Sequence, residues 1–128
     1  MLLLSDVGTG RHQIVATALL RAHMCQSLAK ATADNTDRAF LVGLLSVADA
    51  LVDRPLADAI DDIPIDGELK DALLEHEGPL GELLTRVLAF ERGDFATAAA
   101  APLDTRTATG AYLEAIDWSR RTVDALAA

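Results

Sequence analysis

The side chains of this sequence that could hold a metal, act as a base or attack a substrate are three histidines, one cysteine and a surplus of carboxylates. His12, His23 and His76 carry imidazoles suited to transition metals. Their spacing gives little support, because neither His12 nor His23 has a His or carboxylate at i+4 in a His-Glu-x-x-His arrangement. His76 falls at a helix end, where a cation interacts favourably with the dipole. Cys25 and His23 could pair as nucleophile and base, but residues two apart on a helix point in different directions. Asp58, Asp61, Asp62 and Asp66 lack the spacing and closing Glu of a calcium loop and read as a solvated turn. Gly8-Thr9-Gly10-Arg11 lacks the Gly-Lys-Ser/Thr ending that cradles phosphate and reads as part of a flexible leading segment over residues 1–11. No catalytic, cofactor-binding or metal-ligating residue is expected.

The elements that would position these residues are helices. Apolar residues make up 51% of the chain and aromatics only 4%, so Ala, Leu, Val and Ile must build the core, and Ala and Leu are strong helix formers. A length of 128 residues fits one domain. The net charge of −9 disfavours nucleic acid and anionic membrane as partners. The longest apolar stretch, Phe40 to Val52, is shorter than the ~20 residues of a spanning helix. A lone cysteine suits a reducing cytoplasm, where the chain is expected to reside.

Residues 12 to 31 contain no Pro or Gly, and Ala18, Ala22, Cys25 and Ala29 form a small-residue stripe that suits close helix packing. Asn35 or Thr36 can cap a second helix, with Leu41, Leu44, Leu45, Ala48, Leu51 and Val52 on one face until Arg54-Pro55 stops it. Gly43 inside it costs about 1 kcal/mol relative to Ala, tolerable if another backbone approaches closely. A short helix over 56–62 follows, then a helix capped by Asp66. Gly78-Pro79 marks a stop and a restart. Leu80, Leu83, Leu84, Val87 and Leu88 give the next helix an amphipathic face, and after a short Ala-rich turn a last helix covers about 107–126. No segment alternates with period two, so the expectation is a compact all-α domain of six to seven helices without a sheet.

Three stretches taken together are more specific: Ala18-Leu19-Leu20-Arg21-Ala22-His23-Met24-Cys25, Ala39-Phe40-Leu41-Val42-Gly43-Leu44-Leu45-Ser46, and the series Pro55-Leu56, Ile63-Pro64-Ile65, Gly78-Pro79-Leu80-Gly81. From about residue 15 onward the chain resembles the C-terminal part of the HDOD domain of bacterial EAL-HDOD signalling proteins. The segments 88–95 and 111–118 are similar to the tail of that subgroup. The resemblance implies an HD-like helical scaffold related to metal-dependent HD phosphohydrolases. In those relatives a His-Asp pair follows the Gly-Leu-Leu run, and here Ser46-Val47 stands in its place. The earlier histidine ligand aligns near Thr17, which also lacks an imidazole. The resemblance therefore implies a scaffold without metal chemistry and not an enzyme: a regulatory protein-interaction module tied to cyclic di-GMP signalling. The rival is part of a cyclic di-GMP phosphodiesterase or a degenerate HD-type phosphohydrolase. Upstream helices and an EAL domain of the full-length type are missing from the sequence, and a fragment and a reduced stand-alone member read alike.

A protein partner or adjacent signalling domain is the expected counterpart, with a homodimer as the other way to shelter apolar faces. Leu41 and Leu44 on the most hydrophobic helix, and Trp118 in an aromatic-poor chain, are the expected interaction surface. Scattered Arg86, Arg92, Arg120 and Arg121 read as helix-surface partners of Glu82, Asp117 or Asp124.

Overall fold

The computed structural model describes residues 2–127, with side chains described for residues 10–126. Among the described residues every regular element is helical: α1 (Leu2–Thr32), α2 (Thr36–Leu45), α3 (Ala48–Val52), α4 (Leu56–Asp61), α5 (Gly67–Glu75), α6 (Gly78–Glu91), α7 (Phe95–Ala98) and α8 (Thr105–Ala127). The all-α expectation holds. α1 runs through the middle of the bundle, flanked chiefly by α2 and α8, while α6 packs on α1, α2, α5 and α7.

The small-residue stripe explains the tightest packing. Ala18, Ala22, Cys25 and Ala29 are all buried, and opposite them α2 presents Ala39, Val42 and Gly43. The backbones meet so closely that a Cβ on Gly43 would lie 2.5 Å from the Arg21 carbonyl oxygen. Leu28, Leu73, Leu84, Val87 and Met24 complete the core. Each such fully buried aliphatic side chain contributes about 1.5–3 kcal/mol.

Helix ends follow their local chemistry. Asn35 caps α2 by accepting from the Arg38 N–H at 3.0 Å, and Asp66 caps α5 by accepting from the Leu69 N–H at 3.0 Å. The Asp66 carboxylate also takes two bonds of 2.9 Å from Arg38, tying the start of α5 to α2. His76 ends α5 in the left-handed region at φ 55. Pro79 sits in the first turn of α6, where its missing N–H would have no partner in any case.

Two expectations are corrected. From Leu2 onward the leading segment is helical, since α1 continues through Gly8 and Gly10. Glycine in a helix costs about 1 kcal/mol but does not stop it as proline would. The helix expected from the Asn35 or Thr36 cap to Arg54-Pro55 is divided into α2 and α3. The Ser46 hydroxyl donates to the Gly43 carbonyl at 2.6 Å, and Val47, at φ −107 and ψ 9, leaves helical geometry. Such a side-chain bond competes with the backbone ladder. Leu41 to Val52 are consequently not one face.

Candidate functional site

The structure brings together the positions that the resemblance aligns with metal ligands. Thr17 on α1 and Ser46-Val47 at the α2–α3 break line one open groove of about 560 Å³, together with Gly10, Ile14, Arg21, Asp49 and Ala50. Arg21 lies one turn beyond Thr17 on the same face of α1. Its Nη1 donates to Ser46 Oγ at 3.2 Å, while Nε and Nη2 donate to the Glu91 carboxylate at 2.9 and 3.0 Å. A partly buried guanidinium therefore stands where the related scaffold would gather ligands. Thr17, Ser46 and Val47 offer neither imidazole nor carboxylate. The sequence reading missed Arg21. The available signal was its i+4 spacing from Thr17 on a helix already expected there.

The second constellation joins α1, α2 and α8. The His23 ring stacks on Trp118 with centroids 4.9 Å apart, and Phe40 meets Trp118 edge-on at 6.0 Å. His23 Nε2 is buried without a hydrogen-bond partner, the nearest carboxylate oxygen being Glu114 Oε1 at 3.6 Å. Trp118 is half-buried, which places it at an α1–α8 seam and leaves part of the indole in solvent. Leu41 is half-buried and packs against the core, and Leu44 is half-buried as well. Leu41, Leu44 and Trp118 are thus each half-buried rather than fully exposed. The most exposed aliphatic residues of the 40–52 segment are instead Leu51 at 49% and Val52 at 52%, both on α3.

No family model matches the chain, and no solved structure matches it. Similarity lies with two curated bacterial proteins. The chain is 29% identical over 120 residues to the uncharacterized protein YuxH of Bacillus subtilis, across 91% of this chain and 29% of YuxH. It is 40% identical over 80 residues to the cyclic di-GMP phosphodiesterase CdgJ of Vibrio cholerae, across 61% of this chain and 18% of CdgJ. The chain spans less than a third of the length of either relative.

The remaining candidates do not converge. His12 is exposed far along α1 from His23, and His76 is exposed at the end of α5. Among the described residues no three His, Cys, Asp or Glu side chains are grouped to hold a metal ion. Cys25 is fully buried, and burial pushes its thiol up to about 12, well away from nucleophilic use at neutral pH. Arg120 and Arg121 pair with Asp117 at 3.4 and 3.1 Å on the surface of α8. Arg86 departs from the expected surface role: it is buried, and its guanidinium donates to the carbonyls of Ala100 and Ala101 at 2.5 and 3.0 Å, with Glu82 at 3.4 Å. It ties α6 to the turn before α8. No described helix is long and apolar enough to cross a membrane.

Proposed function

We propose that this chain is a non-catalytic signalling module of the HDOD type, acting in the cytoplasm by contact with another protein or domain in a cyclic di-GMP-linked system. One observation carries the reading. The groove that gathers Thr17, Ser46 and Val47 contains a fixed guanidinium, hydrogen-bonded to Ser46 and neutralised by Glu91, in place of a ligand set. Similarity to CdgJ, a cyclic di-GMP phosphodiesterase, supports the link to that second messenger. The same similarity favours a second reading, in which the segment is an accessory part of a phosphodiesterase whose hydrolytic residues lie elsewhere.

The test combines chemistry and output. The purified chain is expected to carry no stoichiometric Zn, Mn or Fe and to leave cyclic di-GMP intact. Deleting its gene is expected to change the cellular cyclic di-GMP level, and a Thr17→Val variant is expected to restore it, since an interaction module needs no chemistry at that position. Turnover by the purified chain that a point change in the groove abolishes would replace the module by an enzyme. An unchanged messenger level after deletion would remove the signalling link.

A further inference from the structure

We propose that the α1–α3 groove and the exposed apolar end of α3 form a docking surface for a cationic polypeptide segment bearing an aliphatic or aromatic anchor. The inference rests on the reading of the chain as an interaction module and supplies the surface and partner chemistry. Ile14, Val47 and Ala50 give the groove an apolar wall. The next residues of α3, Leu51 and Val52, are about half exposed, and Val52 is followed by Asp53 in the left-handed region at φ 53, which turns the chain sharply away. This large aliphatic pair, directly following the groove-lining Ala50 on α3, presents apolar area that a partner would remove from water.

Charge selects the occupant. Residues 49–77 contain ten of the chain's 20 Asp and Glu but only two of its 11 cations, Arg54 and Lys70, so this stretch holds −8 of the net −9. Asp49 lines the groove itself, and Asp53, Asp58, Asp61 and Asp62 are exposed on α3 and α4, which pack together. Among the described residues no Lys or Arg lies within 4 Å of these five carboxylates. The groove's own cation, Arg21, is already matched by Glu91. A complementary segment is thus cationic around an apolar anchor, the pattern of an amphipathic helix laid in a groove. A second copy fits poorly, because a two-fold contact here would set the same unmatched acids of both chains face to face.

The experiment uses two labelled synthetic 18-residue helical peptides with the same Leu stripe, one with Lys and Arg on its polar face and one with Glu. Fluorescence anisotropy with the 128-residue chain at physiological salt is expected to detect binding of the basic peptide alone. Leu51→Asn with Val52→Asn, at exposed positions, should weaken it by about tenfold, roughly one step of 1.4 kcal/mol. Asp49→Asn with Asp53→Asn should weaken it too and flatten its salt dependence. The control pair Glu114→Gln with Asp124→Asn removes the same charge on α8 and should leave affinity within about twofold. Equal loss in control and site variants would reduce the effect to net charge and overturn the proposal. So would absence of binding, or a dimer in ultracentrifugation that Leu51→Asn dissolves. Restored messenger levels after gene complementation, with no peptide binding, would sink this surface and leave the module reading standing.

Discussion

Replacing Gly43 by Ala tests the α1–α2 seam on which the groove is built. By intrinsic preference alone Ala stabilises a helix by about 0.8–1 kcal/mol over Gly. The structure predicts the opposite sign. The added Cβ would lie 2.5 Å from the Arg21 carbonyl oxygen, 2.6 Å from its carbon and 2.7 Å from the Ala22 Cα, and all three are backbone atoms that no rotamer change can move. Reaching the ~3.5 Å of an ordinary contact requires the helices to part by roughly 1 Å, and a gap of that size forfeits about a quarter to a half of each dispersion well along the seam. Ala22, Cys25, Ala39 and Val42 all lie there fully or almost fully buried. Overpacking of this kind costs about 1–3 kcal/mol. Net of the propensity gain, Gly43→Ala is expected to destabilise by about 1 kcal/mol, visible as a lower urea midpoint at constant m. Gly110→Ala on α8 is the matched control, since a Cβ there meets nothing within 4 Å, and it should stabilise by up to about 1 kcal/mol. If Gly43→Ala stabilises the protein as Gly110→Ala does, the close backbone approach is wrong.

Other perturbations probe separate links. Arg86→Met keeps the apolar stem but leaves the Ala100 and Ala101 carbonyls without their donor, and should cost about 2–3 kcal/mol in urea unfolding; a loss below ~0.5 kcal/mol would show that the tie is idle. Cys25, buried and with its thiol pushed up to about 12, should react with a thiol reagent at pH 8 only at the rate of unfolding, so fast labelling of native protein would contradict its burial. Asp66, Asp94 and Asp104 are each held below the usual carboxylate range, chiefly by the Leu69 N–H with Arg38, by Thr97 and by the Thr107 N–H respectively. Depressed folded values mean that their contribution is present above the unfolded value of about 3.9 and is lost as pH falls through the lower folded values. Asn at all three positions keeps a cap acceptor but removes the titration, so the variant should show a shallower loss of stability below about pH 4; an unchanged acid limb in urea midpoints would refute this.

Periodicity made the helices legible because their core stripes lie in uninterrupted runs. Leu80, Leu83, Leu84 and Val87 are buried on the face their spacing indicates, and the Ala18 to Ala29 stripe is the seam that its small residues require. Gly43 was readable as a close approach for the same reason. What pattern reading loses is direction after a break. Leu51 and Val52 continue the apparent stripe of Leu41 and Leu44, but the chain leaves helical geometry at Val47, so α3 carries them outward. Arg86 shows the complementary failure, because a charged residue at i+4 from Glu82 reads as surface until a turn far along the chain supplies two carbonyls to bury it against.

Ser46 links these observations. Its hydroxyl donates to the Gly43 carbonyl and accepts from Arg21, so one small side chain both ends α2 and fixes the guanidinium in the groove. A longer imidazole at that position would have to displace Arg21 from its Ser46 contact to face Thr17 across the same groove. The Arg21–Glu91 pair further ties this stretch of α1 to the end of α6, so the charge in the groove is also part of what holds the bundle. Local polar bonding, helix termination and groove electrostatics are therefore one coupled arrangement, and a surface that uses Asp49, Leu51 and Val52 inherits its orientation from the turn that Ser46 and Val47 make.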